Sequence, residues 1–279
     1  MSKTQRAIER RQLLKATALA GSAGLLKPLQ AAGTSQRFVL VHGTWHGGWV
    51  WRDLARRLVG AGHTVLTPTC TGCGEREHLS QADVGLDTHI RDVTEAIRFA
   101  ELEDFVLVGH SFAGLTITGV ADRLRSRVRR IVFLDALVPR PGRMAAIPRD
   151  PESGAYPAWW QERTRKFVDG YKMVLWEDYP VDMLVPPDMT EHVARLKQFI
   201  TTHPARQWTD ELILANGGWE GLRPAYIHCV GQRYRQSSDM MLGPAREPGW
   251  RFIELDAPRN AMMTHPRQLA ELLIVLAET

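Results

Sequence analysis

The sequence predicts an α/β fold with a mostly parallel sheet of about six strands, helices on both faces and a helical lid over the strand ends. Three observations carry this expectation. Short apolar runs alternate with amphipathic segments from Arg37 onward. Two of those runs end abruptly, in His42-Gly43 and in Gly109-His110-Ser111. One long stretch rich in proline and aromatics, at about 138–223, interrupts the alternation. A chain of 279 residues, 44% hydrophobic and 24% charged, holds one such domain with a sizeable core and is too short for two large ones.

Residues 1–33 read as an export signal. A twin-arginine pair, Arg10-Arg11, is followed by the small-residue apolar stretch Ala16 to Leu26 and by a small-residue site near Ala31-Ala32-Gly33. A frayed amphipathic helix on a cytoplasmic protein is the competing reading. The apolar run is too short and too rich in alanine and glycine to span a bilayer, so the mature protein is expected to have no membrane span. The folded part would be 34–279, working in the periplasm or outside the cell after twin-arginine export.

The elements of that domain follow in order. Phe38-Val39-Leu40-Val41 is a buried strand, then a helix runs from about Trp49 to Val59 with Trp51, Leu54 and Leu58 on one face, stopped by Gly60-Ala61-Gly62. Thr64 to Thr67 is a strand, 68–79 a loop, and Thr88 to Ala100 a helix. Phe105 to Val108 is a strand leading into a helix from Phe112 to about Leu124, and Arg130 to Leu134 is the next strand, ending at Asp135. The lid holds short helices at Trp159 to Asp169 and Thr190 to Thr201. Two strands, Ala225 to Val230 and Arg251 to Leu255, and a helix from Pro266 to Ala277 complete the chain.

The net charge of +4 owes much to the N-terminal run, and no basic face or nucleic-acid motif is present, so the expected partner is a small molecule and not a nucleic acid. The three cysteines cannot all pair. Cys70-Thr71-Gly72-Cys73 has no second ligand pair for zinc and no thioredoxin-like context, so Cys70 and Cys73 are read as two small loop residues open to oxidation. No histidine has partners at metal-ligand spacing, and no metal is expected.

Gly109-His110-Ser111-Phe112-Ala113 stands where a strand turns directly into a helix. Such a turn holds a serine in a strained conformation at a helix N-terminus, where amide groups and the helix dipole favour a developing oxyanion. Ser111 is therefore the candidate nucleophile. An ordinary helix-capping serine is the plainer reading. The Phe112 N–H is one expected oxyanion donor. The second is assigned to the Thr44 N–H, on a loop whose glycines let the backbone approach a ligand. His42, Trp45 and His46 of that loop are expected around the pocket, together with His110, turned from the elbow into packing. His78 and His89 are assigned to the loop walling the site.

The stretches His42-Gly43-Thr44-Trp45-His46-Gly47-Gly48-Trp49-Val50-Trp51, Pro68-Thr69-Cys70-Thr71-Gly72-Cys73-Gly74-Glu75-Arg76-Glu77-His78-Leu79 and Gly109-His110-Ser111-Phe112 resemble bacterial relatives of the plant methylesterase and hydroxynitrile lyase family. The resemblance runs from about Arg37 to the C-terminus. It implies an α/β-hydrolase fold with no cofactor, and ester hydrolysis or cyanohydrin cleavage by serine, histidine and aspartate.

The chain departs from that pattern in one place. The loop that should carry the histidine reads Pro258-Arg259-Asn260-Ala261-Met262-Met263-Thr264, so Arg259 fills the base position. The usual acid position, Gly231-Gln232-Arg233, has no carboxylate. Asp135 remains as the alternative acid, with capping or a salt bridge as its plain role. Arginine has five donors and no acceptor, and its pKa above ~12 prevents it from taking a proton near neutrality. Three outcomes stay open: His265 serves as a displaced base; Arg259 pairs with Asp135, leaving a poor hydrolase or a binding module; or Arg259 holds a substrate carboxylate for other chemistry. The leading expectation is an esterase-like serine hydrolase acting on a small carboxylic ester through Ser111, with Asp135 and His265 as the other catalytic candidates. The alternatives are a silent ligand-binding protein and a non-hydrolytic lyase.

Overall fold

The computed structural model describes residues 34–140, 142–232 and 242–279. The expected export signal and Arg233 lie outside them. Strand β1 (Arg37–Val41) leads through helix α1 (Arg52–Gly60) to β2 (Thr64–Leu66). Helix α2 (Leu86–Phe99) precedes β3 (Phe105–His110), which turns into α3 (Ala113–Arg123), and β4 (Val128–Leu134) follows. The interruption contains β5 (Arg143–Met144), α4 (Ala158–Thr164), β6 (Lys172–Met173), α5 (Leu175–Asp178), α6 (Thr190–Phe199), β7 (His203–Pro204) and β8 (Leu212–Ile213). The chain closes with β9 (Ala225–Cys229), β10 (Arg251–Leu255), α7 (Ala261–Thr264) and α8 (Pro266–Glu278).

Six strands form one sheet in the order β10-β9-β4-β3-β1-β2. Every neighbouring pair is parallel. The physical cause is legible residue by residue. Phe38 and Leu40 pack on one face with Leu54 and Leu58 of α1 and Leu269, Leu273 and Leu276 of α8. Val39 and Val41 pack on the other with Ile90, Val93 and Ile97 of α2 and Leu115 and Val120 of α3. Strands covered on both faces need continuous apolar runs, and helices need apolar residues three and four apart. Each fully buried Leu or Ile contributes roughly 1.5–3 kcal/mol.

The element ends differ from the expectations for reasons of tertiary contact. The first helix opens as a 3-10 turn, Gly48–Trp51. Helix α2 begins before Thr88, because Asp210 accepts from the Leu86 N–H at 3.0 Å and Thr88 Oγ1 accepts from the Gly85 N–H at 3.4 Å. The first lid helix stops at Thr164, freeing Lys172 and Met173 to pair antiparallel with Pro204 and His203. The expected loop at 68–79 ends in a 3-10 segment, Gly74–Leu79. His89 lies in α2, not in a pocket wall, and its Nε2–H donates to the Thr71 carbonyl at 2.9 Å. No helix among the described residues is long and apolar enough to cross a membrane.

The strand order fixes where a site can form. From β1 the chain goes to β2 on one side and returns to β3 on the other. The loops after β1 and β3 therefore part at a topological switch point, the place at the carboxyl ends of the strands where such sheets form their ligand crevice. His42-Gly43-Thr44 and Ser111 are the residues delivered there.

Candidate active site

Ser111 takes φ +57°, in the left-handed region, at the junction of β3 and α3. That conformation costs a non-glycine residue about 1–3 kcal/mol and must be held by its surroundings. The Ser111 N–H donates to Leu134 O at 3.3 Å, and its carbonyl accepts from Gly114 at 3.2 Å and Leu137 at 2.9 Å. Its small neighbours are required by contact. A Cβ on Gly109 would lie 2.8 Å from Ile117, and one on Gly114 only 1.9 Å from the Leu137 carbonyl oxygen. Ala113 fits where it is, so the glycine demand on the helix side falls on Gly114.

The loop after β1 presses against this turn. A Cβ on Gly43 would lie 2.8 Å from Ser111 Cβ and 2.9 Å from His110 O. Neither the Thr44 N–H nor the Phe112 N–H donates to an acceptor among the described residues, and the buried Thr44 hydroxyl has no partner either. His46 holds the loop: its Nδ1–H donates to Thr44 O at 2.7 Å while its Nε2 accepts from Asn260 Nδ2 at 3.0 Å. In His42, Nε2 accepts from the Cys70 N–H at 3.1 Å, so Nδ1–H donates to Gly43 O at 2.9 Å. Burial lowers the His42 pKa to about 4 and the His46 pKa to about 3. His110 is buried edge-on against His46 and Trp51, and burial followed by the Arg259 charge holds its pKa well below the usual range. His42 and His46 are structural struts, neutral at physiological pH and already hydrogen-bonded at both nitrogens, and the His110 ring is packed away from solvent. Trp45, at φ +65°, is turned toward the lid, where its ring meets Tyr179 edge-on at 5.7 Å.

Arg259 lies beside the serine. Only 2% exposed, it donates from Nη2 to Ser111 Oγ at 2.9 Å and pairs through Nη1 with the Asp135 carboxylate. Asp135 is fully buried at φ +44° and also accepts from the Cys229 N–H at 3.3 Å and from Gln232 Nε2 at 3.1 Å. His228 Nδ1 lies 3.5 Å from its other oxygen. The structure therefore brings Ser111, Arg259 and Asp135 together. It does not bring in His265, expected as a displaced base. That ring sits at the junction of α7 and α8, where its Nδ1 bonds the Thr264 hydroxyl at 2.9 Å, and the side chain bonded to Ser111 Oγ is Arg259.

Sequence reasoning passed over Gln232 as an acid and gave no role to Asn260 or His228. A glutamine in the acid position, an asparagine after the base position and a histidine inside an apolar strand were the available signals. Cys70 and Cys73 are buried free thiols in one turn, and Cys73 Sγ lies 3.3 Å from His203 Nδ1. Among the described residues no group of three His, Cys, Asp or Glu side chains could hold a metal ion.

Comparison with known proteins agrees with this architecture. The sequence model of the Alpha/beta hydrolase family matches residues 38–272. A carbendazim hydrolyzing esterase of Nocardioides sp. (strain SG-4G) is 39% identical over 249 residues, covering 86% of this chain and 98% of that protein. Esterase PIR7B of Oryza sativa subsp. japonica is 25% identical over 267 residues, covering 88% and 97%. Among solved structures, an extracellular α/β-hydrolase from a Paenibacillus species, sharing structural and functional homology with tobacco salicylic acid binding protein 2, superposes with a TM-score of 0.69 at 26% identity, over 86% of this chain and 98% of that one. The chain belongs to the α/β-hydrolase family and is a relative of the plant methylesterases and hydroxynitrile lyases within it.

Proposed function

We propose that the protein is a carboxyl-ester hydrolase for small, partly apolar esters, with Ser111 as nucleophile, the Thr44 and Phe112 amides as oxyanion donors, and Arg259 in place of the usual histidine. The observation that carries this reading is the 2.9 Å bond from Arg259 Nη2 to Ser111 Oγ, on a serine held at φ +57°. The esterase names of two relatives support the reaction class.

A cation beside Oγ favours the alkoxide over the alcohol but cannot remove the proton itself. Hydroxide from solvent takes it. The alkoxide then adds to the ester carbonyl, whose developing negative oxygen faces the two amides. The tetrahedral intermediate collapses to an acyl-serine and expels the alcohol as an alkoxide, which water protonates. A second hydroxide releases the acid and regenerates the serine. Asp135 keeps Arg259 aimed at the serine. The residues at 1–33 would direct export, placing this activity outside the cytoplasm.

A specific observation favours one second reading: no proton acceptor among the described side chains is bonded to Ser111 Oγ, so a silent ligand-binding protein is the alternative. Hydrolysis of phenyl acetate decides between them. A rate that falls to background in Ser111→Ala supports the hydrolase. A wild-type rate equal to that of Ser111→Ala from pH 6 to 9, with no labelling by a fluorophosphonate, leaves the binding protein.

A further inference from the structure

A buried arginine in the lid touches both halves of the oxyanion pocket at one remove. Arg163 of α4 is 7% exposed, and its guanidinium carbon lies 5.8 Å from the Trp45 ring, 5.7 Å from Trp160, 5.1 Å from Tyr179 and 6.0 Å from Trp208. Its Nη1 also donates to the Tyr179 hydroxyl at 3.4 Å. Two of those rings back the expected donors. Trp45 follows Thr44 directly, at a strained φ of +65°, and its own N–H donates to His203 Nδ1 at 3.3 Å. Trp208 packs on Phe112 with ring centroids 4.8 Å apart. A single planar cation in contact with several π faces, away from water, is held more firmly than an aliphatic chain would be, and it orients the rings it touches.

We propose that Arg163 is a positioning residue for the oxyanion pocket, clamping Trp45 behind the Thr44 amide and Trp208 behind the Phe112 amide. The clamp joins a lid helix to the loop after β1 and to the start of α3, three segments that nothing local in the sequence connects. It rests on the reading of those two amides as oxyanion donors. Its effect belongs to preorganisation: amides held in place stabilise a developing anion without moving during the reaction.

The test compares wild type, Arg163→Met and Arg163→Lys with three readouts. Phenylboronic acid, which forms a tetrahedral adduct with the serine, probes the anionic geometry. Phenyl acetate kinetics separate kcat from KM. Amide hydrogen exchange of the segments 43–50 and 111–116 probes the donors without any chemistry. In Arg163→Met the boronate Kd is expected to rise ~10-fold and kcat to fall by a similar factor with KM little changed, because only the charged state uses the donors fully. Exchange should quicken in both segments and not across the domain. Arg163→Lys keeps the charge without the flat face and should recover less than half of the lost boronate affinity. It also carries every measurement if the methionine variant does not fold.

Unchanged exchange in either segment overturns the clamp, as does boronate affinity equal to wild type, or a loss shared equally between kcat and KM. If wild type itself neither hydrolyses the ester nor binds the boronate, the hydrolase reading fails. The exchange measurement alone then decides whether Arg163 positions the two amides.

Discussion

At the scale of single residues, the proposed site turns on Arg259. Where a proton acceptor is expected, Arg259 presents a donor to Ser111 Oγ at 2.9 Å while paired with buried Asp135. Arg259→His should place an imidazole between a serine and a carboxylate that are already in position. Ester hydrolysis is expected to rise ~10²- to 10⁴-fold, the usual worth of a positioned general base. The pH profile should change with it. In the wild type, log(kcat/KM) should climb steadily with hydroxide from pH 6 to 9, because the pocket histidines are held at about 4 and about 3 and do not titrate there. In the variant an inflection near neutrality should appear; its absence, with no gain in rate, would mean that the pocket lacks more than a base. Asp135→Asn isolates the charge, since asparagine tolerates the left-handed backbone that Asp135 adopts at φ +44°. Removing the carboxylate partner of a buried guanidinium should destabilise the fold by ~3–5 kcal/mol in urea unfolding, and Asp135→Asn combined with Arg259→Met should recover most of it. A double variant no more stable than Asp135→Asn would contradict this account. The position of Arg259 was legible because the final loop, 258–264, resembles the base-carrying loop of the family. The partners that fix the site were not, because Gln232 reaches Asp135 across 97 positions and Asn260 reaches His46 across 214.

At the scale of elements, what the sequence revealed and what it hid follow from the range of the forces involved. Strands β1, β3 and β4 were legible because each carries an apolar run buried on both faces; β9 is as buried but includes His228, and the edge strand β10 has Arg251 and Glu254 exposed. The end of α4 and the start of α2 were not, because they are set by ladder pairing with His203–Pro204 and by the Asp210 carboxylate. The elbow shows the same division. Two residues after the serine Ala113 is buried without conflict, and the close contact falls one residue later, on Gly114. Helix propensity favours alanine over glycine by about 1 kcal/mol. Steric conflict wins at this position: a Cβ on Gly114 would meet the Leu137 carbonyl oxygen at 1.9 Å, inside any hydrogen-bonding or van der Waals distance. Gly114→Ala is therefore expected to destabilise by at least ~3 kcal/mol in urea unfolding. Gly60→Ala, whose Cβ would meet nothing within 4 Å, should be neutral or stabilising. Equal stability of the two variants would show that the elbow relaxes more easily than its contacts indicate.

At the scale of the whole molecule, the crevice is lined and backed by histidines that the fold keeps neutral, and this couples its integrity to pH. Burial lowers His42 and His89 to about 4 and His46 to about 3, and holds His110 and His203 well below the usual range. Their nitrogens join distant segments: His42 to the Cys70 amide, His46 to Asn260, His89 to Thr71 and His203 to the Trp45 amide. The sign follows from proton counting. Above pH 6.5 both folded and unfolded chains leave these rings neutral, and stability does not change on their account. Below 6.5 the unfolded chain binds protons that the folded chain refuses, so stability falls with pH until the folded values are reached. A histidine held at about 4 against 6.5 accounts for roughly 3 kcal/mol by pH 4, and several together approach the 5–15 kcal/mol that holds a typical domain. The lowered carboxylates, Asp104 and Asp150, start from 3.8 and act below this window. The urea midpoint should thus be level from pH 7 to 8, drop steeply from 6 to 4.5, and reach unfolding without denaturant near pH 4. The loss should be accompanied by an uptake of more than one proton per molecule, measured from the slope of stability against pH. A midpoint unchanged between pH 7 and 4.5 would mean that these rings find water or protons in the folded state.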